Sequence, residues 1–367
     1  MFRRQTISLA KHFATATTVN PKQSININST EKISKLPNGL TVASVDTGGV
    51  ISQLIMGYRA GSRYEQYDEA GLTHHLRNAV GTDSANYESS LMLWHCGSAG
   101  ARLISSLTRD LFMVQMSIVR DHASIGLSLL GELSQPALKP WDIEDRNETL
   151  FVDLDYLTPL EKLMEKLHYA AYREGPLGNR LFAERDRVGK ITFDQLQNYA
   201  ASRLVSGQTI LFGFNIDHNQ MLKYASEQLN MNESSGKAGA PSPYYGGEIR
   251  YKQDIHDVHV AIAGQGNSLK DSKALAVQAV FSAALGQGPS TKYCCHFGGH
   301  GIVAEAVFKA SNSYPFGIAA INEVYSDNGL VGIYLTCDGD RAAPLIDAAI
   351  KAIKNFSISE AEIRKAK

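Results

Sequence analysis

Cysteine is scarce in this chain: Cys96, Cys294, Cys295 and Cys337 are the only four in 367 residues. Their spacing fits no disulfide framework, no c-type haem attachment and no iron–sulfur ligand run, so they read as reduced thiols. Long apolar runs are missing too. The longest candidate, Ala274 to Leu285 (ALAVQAVFSAAL), carries Gln278 and Ser282 and falls short of the roughly 20 residues that span a bilayer. Any link to a membrane is therefore expected to run through a partner. The net charge is −1, which gives no electrostatic ground for binding nucleic acid. What is present is ordinary globular material, 44% hydrophobic and 20% charged, in a chain long enough for more than one domain.

One more absence is local. No acidic residue precedes Glu31, whereas Arg3, Arg4, Lys11 and Lys22 all fall in that stretch. Ser and Thr are frequent there. Phe2, Leu9 and Phe13 can share one helical face, with the basic residues mostly off it. Residues 1–20 therefore read as a mitochondrial import presequence.

Beyond it, Leu36-Pro37-Asn38-Gly39-Leu40 reads as a turn between strands, with Asn-Gly supplying two positive φ angles. Val50 to Arg59 reads as a strand, and Gly61-Ser62 breaks the chain. Helices are expected over 69–80, 101–109, 123–133, 141–152 and 160–171. Thr192 to Gln195 forms a capping box for a helix to about Leu204. Thr209 to Phe214 is a strand, and Asp217 caps a helix to about Leu229. Asn232 to Glu248 (NESSGKAGAPSPYYGGE) has the composition of a flexible linker. After it the pattern restarts, with a strand over 258–264, a helix over 270–285, two strands around Asp327-Asn328-Gly329, and a helix over 345–353. Strand, glycine break and helix thus occur in both halves. The expectation is an α+β protein of two related domains, 31–231 and 249–367, each an antiparallel sheet packed by helices. About 120 residues follow the linker and about 195 precede it. The second domain therefore reads as C-terminally incomplete.

The informative stretch is Gly61-Ser62-Arg63-Tyr64-Glu65 followed by Ala70-Gly71-Leu72-Thr73-His74-His75-Leu76-Arg77-Asn78. It resembles the pitrilysin-like (insulinase) metallopeptidase family, whose active members read G-S-R-x-E, then G-x-x-H-x-x-E-H. Leu36 to Ala43 is similar to that family's first strand. Gly175-Pro176-Leu177-Gly178 with Ile191-Thr192, and Tyr325 to Leu330, are similar to its later motifs. The resemblance runs from about residue 33 to the end. In active members two His at i and i+4 share one helical face and bind zinc. The Glu before the second His is the base for the zinc-bound water. A distant Glu completes the site.

Carried over residue by residue, the resemblance keeps only His74. The base position is Arg77 and the second ligand position is Asn78. The third ligand should fall within Val152-Asp153-Leu154, where Asp153 is the only carboxylate. Arg77 cannot accept a proton at neutral pH. At ~5 Å and an effective dielectric of ~20 its charge would repel a dication by about 6–7 kcal/mol. That cancels much of a zinc-binding energy of roughly 10–16 kcal/mol. Asn78 offers a neutral amide, a poor ligand. The family's substrate-clamping arginine before the hairpin tyrosine is also missing between Ser311 and Tyr325. His74 alone then reads as a surface or half-buried helical histidine, and His75 as packed inside. The implied reading is no catalytic residue, no metal and no cofactor.

Other candidates are weaker. His256 and His259, three apart on a strand, point to opposite faces. Cys294-Cys295-His296 with His300 matches no zinc template. Leu285-Gly286-Gln287-Gly288-Pro289-Ser290-Thr291-Lys292 is glycine-rich but lacks the phosphate-loop pattern. Within the family this short loop resembles the respiratory-chain members rather than the presequence-binding half of a mitochondrial processing peptidase, whose glycine run is longer. The resemblance therefore implies a structural core subunit of the mitochondrial ubiquinol–cytochrome c reductase. It implies a second core protein and the cytochrome b, cytochrome c-type and iron–sulfur subunits as partners, and a peripheral place on the matrix side of the inner membrane. The non-catalytic subunit of a processing peptidase is the alternative.

Overall fold

The structure is a computed structural model that describes residues 30–253, 255–288, 300–360 and 363–364. The presequence segment 1–20, Cys294, Cys295, His296 and the loop residues 289–292 lie outside the described residues.

Strand β1 (Thr30–Lys35) turns into β2 (Thr41–Asp46), and β3 (Ile51–Tyr58) follows. Helices α1 (Leu72–Asn78) and α2 (Ser89–Ser98) precede a hairpin of β4 (Arg102–Leu107) and β5 (Phe112–Val119). Then come α3 (Ala123–Leu133), α4 (Pro140–Asp155), α5 (Pro159–Tyr172) and α6 (Phe193–Arg203), before β6 (Thr209–Phe214) and α7 (His218–Glu227). The sheet order is β1-β2-β6-β3-β5-β4. Strand β6 pairs parallel with β2, so this sheet is mixed rather than purely antiparallel. A strand that returns to the sheet after four helices can insert in either direction.

The core forms because one sheet face is apolar at every second residue. Leu54, Met56 and Tyr58 of β3 and Phe112, Val114, Met116 and Ile118 of β5 are all buried. Leu72 and Leu76 of α1, Leu127 and Leu130 of α3, Leu196 and Tyr199 of α6, and Met221 of α7 close over them.

The second half contains β7 (Asp257–Gly266), α8 (Ser272–Leu285), α9 (Ile302–Ser311), β8 (Phe316–Val324), β9 (Gly329–Asp338) and α10 (Ala342–Lys354). Its described strands form an antiparallel sheet in the order β7-β9-β8. Val303, Val307, Ile318, Ile333, Leu335 and Leu345 make a separate core. The fold is α+β, with helices packed on two sheets.

Three local expectations need correction. Residues 101–109 are not a helix: β4 pairs edge-on with β5, from Arg102 opposite Ser117 to Leu107 opposite Phe112. RLISSL has no clear period of its own, and its partner strand decides the matter. In the β1–β2 turn only Gly39 has a positive φ (93°), because Asn38 instead accepts the Leu40 N–H through its side chain (3.1 Å). The 232–248 segment carries neither helix nor long strand but is fastened along its length. Asn232 O and Ser234 O accept from Ser206 N and Gly207 N, and Tyr245 N donates to Ala171 O at 2.8 Å.

The β4–β5 corner buries two ionisable side chains. Arg109 and Asp110 sit there, 3% and 8% exposed. Gly61 lets the corner in: a Cβ on it would lie 2.3 Å from the Arg109 carbonyl oxygen. Gly61→Ala is therefore expected to destabilise the protein by about 1–3 kcal/mol, through overpacking against backbone. Urea unfolding should show the midpoint falling at unchanged slope.

Candidate functional site: the α1–α4 junction

Helix α1 starts at Gly71, whose φ of 100° suits glycine, and where a Cβ would meet Ala183 Cβ at 2.7 Å. Its first turn is tied to Glu65. The carboxylate accepts from Gly71 N (3.0 Å), Thr73 N (2.6 Å) and Thr73 Oγ1 (2.7 Å). An anion here satisfies the helix's orphan N–H groups and its positive end. Burial nevertheless pushes the Glu65 carboxyl up to about 7, against these donors.

Leu72 and Leu76 face the core, which turns His74, Arg77 and Asn78 toward α4. There the structure brings all three onto Asp153. His74 Nε2 lies 3.1 Å from Asp153 Oδ2, and Asn78 Nδ2 donates to the same oxygen at 3.0 Å. Arg77 Nη2 donates to it as well. Asn78 Nδ2 also reaches His74 O (3.1 Å). Ala183 N donates to His74 Nδ1 (3.3 Å), so the ring's proton sits on Nε2 and points at Asp153.

His74 is fully buried, not at the surface. The segment after α5 covers it, with Phe182 edge-on at 5.2 Å between ring centroids. Burial lowers its pKa to about 4, more than the Asp153 hydrogen bond raises it. Burial alone would raise Asp153, but the Asn78 hydrogen bond, the Arg77 charge and His74 together hold it below the ordinary value. His75 is buried, and its Nδ1–H donates to Gly71 O at 2.8 Å.

The chemistry follows from the direction of the donors. A zinc site needs lone pairs converging on one point. Here imidazole N–H, amide N–H and guanidinium N–H all converge on one carboxylate oxygen. The guanidinium supplies the positive charge that a metal ion would supply, and Arg77 offers no base. A hollow of about 350 Å³ opens beside the pair, lined by Arg77, Asp153, Tyr156, Glu161 and Phe182 among others. Among the described residues no cluster of three or more His, Cys, Asp or Glu could hold a metal ion. His259 on β7 stacks on Tyr334 of β9 and hydrogen-bonds its hydroxyl (2.7 Å). Tyr325 is 5% exposed, and its hydroxyl lies 2.7 Å from His168 Nε2 on α5. The chain is not a zinc peptidase.

Sequence reasoning placed His74, Arg77, Asn78 and Asp153 but missed Phe182 and Ala183. No motif marks those two; only the fold lays their segment over α1.

Residues 41–185 match the family described as Insulinase (Peptidase family M16), and residues 190–367 match the Peptidase M16 inactive domain. Over 342 residues the chain is 30% identical to Cytochrome b-c1 complex subunit 2, mitochondrial, of Rattus norvegicus, covering 92% of this chain and 75% of that protein. The Homo sapiens protein of the same name is also 30% identical, with 92% and 74% covered. Mitochondrial-processing peptidase subunit alpha of Solanum tuberosum is 24% identical over 350 residues, with 92% and 68% covered.

Proposed function

The chain belongs to the insulinase peptidase family M16, and we propose that within it this protein is a structural core subunit of the mitochondrial ubiquinol–cytochrome c reductase. In this role it supports assembly and stability of the complex from the matrix side of the inner membrane. Its partners would be a second core protein and the cytochrome b, cytochrome c-type and iron–sulfur subunits. The observation that carries the reading is the α1–α4 junction: the peptidase scaffold is kept while its ligand positions are spent on an internal ion pair. The higher identity to the b-c1 subunit, 30% against 24% for the processing peptidase subunit over similar shares of this chain, supports the reductase over the peptidase complex.

Two further features fit a subunit. No helix among the described residues is long and apolar enough to cross a membrane, so a place at the membrane would come from partners. Helix α2 exposes Leu91, Leu93 and Trp94 (45%, 47% and 66%), apolar surface of the kind that protein contacts cover.

Native electrophoresis of gently solubilised mitochondria tests the reading. The protein is expected to migrate at high mass together with the haem absorbance of cytochromes b and c. Recovery only in a soluble matrix heterodimer that cleaves presequences would replace this reading with the processing-peptidase one.

A further inference from the structure

The Gly61-Ser62-Arg63-Tyr64-Glu65 motif lies outside the pseudo-zinc site, yet its arginine is 5% exposed and makes six hydrogen bonds. Nη1 donates to Asp110 Oδ1 (2.7 Å), Asp327 Oδ1 (2.8 Å) and Ser326 Oγ (2.9 Å). Nη2 donates to Asp327 Oδ2 (2.9 Å), Ala240 O (3.0 Å) and Ser242 Oγ (3.2 Å). One guanidinium thus forks onto Asp327 and spans three segments. These are the β4–β5 corner, the 232–256 connection and the β8–β9 turn. Only arginine can do this, since lysine has no planar fork.

The partners are bound to one another as well. Ser326 N donates to Asp110 Oδ2 (2.7 Å), and Ser242 N donates to Asp327 Oδ2 (2.9 Å). Asn328 Nδ2 donates to Ser242 O (2.9 Å), and Leu177 N donates to Ser242 Oγ (3.2 Å). Around this network Tyr172, Leu177, Tyr325 and Leu330 form a small apolar cluster shared between the two halves. Tyr172 Oη donates to Gly329 O (3.0 Å). The two sheets have separate cores, so contacts such as these are what join them.

We propose that Arg63 is an interdomain latch: it grips the Asp327 turn and the 240–242 strap at once, and so holds the two halves as one rigid body. A buried pair of this kind adds little if replaced whole by apolar groups, but removing one partner leaves the other charge buried and alone. Loss of Arg63 leaves Asp110 and Asp327 together without their cation, and loss of Asp327 removes the forked grip on the second half, so either change opens the junction. The connecting segment, flexible by composition, is rigid because the latch closes over it. Tyr325 is drawn into the same junction, with its hydroxyl on His168 rather than toward the α1–α4 site.

Amide hydrogen exchange on the full chain tests this, comparing the wild type with Asp327→Ala and Arg63→Met. Asp327 is the cleaner target, because it lies in the second half and leaves the Arg63–Asp110 pair in place. The amides to follow bind neither altered side chain: Tyr245 N, bonded to Ala171 O, and Tyr325 N, bonded to Asn328 O. Both are expected to exchange about 100-fold faster in either variant. Core amides of β3, β5 and β9 are expected to keep their wild-type protection. Arg63→Lys is expected to fall between, since it keeps the charge without the fork. Unchanged exchange at Tyr245 and Tyr325 would overturn the latch. So would an equal acceleration of every core amide, which would mean global destabilisation rather than opening of one junction.

Discussion

A triple variant, Arg77→Glu with Asn78→His and Asp153→Glu, is expected to bind one zinc ion per chain, and the wild type to retain none after dialysis. The reason is spacing. In a tetrahedral shell with bonds of about 2.0–2.1 Å, neighbouring donor atoms lie about 3.3 Å apart. His74 Nε2 and Asn78 Nδ2 already lie 3.1 and 3.0 Å from Asp153 Oδ2. The α1–α4 frame therefore holds ligand positions at a separation a metal can use. What blocks the metal is the chemistry of the side chains. Removing Arg77 takes away the competing charge, the new His supplies a lone pair, and the carboxylate at position 153 supplies the third ligand.

Without metal the triple variant gathers two carboxylates with no cation, so it should be less stable than the wild type by about 3–5 kcal/mol. Added zinc should restore stability in proportion to the logarithm of its concentration. Metal analysis and thermal unfolding with and without zinc check both statements. A folded triple variant that takes up no zinc would show that the α1–α4 spacing is not a metal-site spacing. Peptidase turnover need not return with the metal, because Tyr325 stays tied to His168 at the interdomain junction.

The parts of this molecule legible in the sequence are those whose signals are local. Helix α3 and strand β6 run over the residues their own patterns indicate, and Thr192 and Gln195 form the capping box that their spacing announces. The i, i+3, i+4 placement of His74, Arg77 and Asn78 on one side of α1 follows from helical geometry alone. Strand β4 was not legible, because nothing in RLISSL separates a short edge strand from a helix until β5 lies beside it. The burial of His74 was not legible either. It depends on Phe182, more than a hundred residues further on, closing over the ring. Arg63 is the extreme case. Its main partner, Asp327, is 264 residues away, and no periodicity connects a glycine break with a hairpin turn in the other half.

Acid should reveal how the buried groups around α1 oppose one another. His74 has a folded pKa of about 4, against roughly 6.5 in an unfolded chain. The unfolded state therefore takes up the proton first as pH falls. The stability due to neutral His74 is fully present above about pH 6.5 and is lost between there and pH 4, to an extent of about 3 kcal/mol. His168, driven well below its ordinary value by burial, acts in the same direction. Glu65 acts in the opposite one. Its folded pKa of about 7 lies above the unfolded value, so the folded state binds that proton more tightly. The Glu65 contribution is lost as pH rises through 7 and is fully present below about 4.5. His74 and Glu65 thus oppose one another in the wild type, and His168, His75 and His218, all lowered by burial, add to the acid sensitivity. Glu65→Gln removes the opposing term, and its stability is expected to fall between pH 6.5 and 4.5 by about 3 kcal/mol more than that of the wild type. His74→Gln is expected to shift the change over the same window in the opposite direction, by a similar amount. Urea titrations at several pH values in this window give the slopes directly. The slopes matter rather than the absolute stabilities, since each substitution also disturbs hydrogen bonds. Parallel curves for the wild type and Glu65→Gln would mean that the three donors at the head of α1 keep Glu65 ionised throughout.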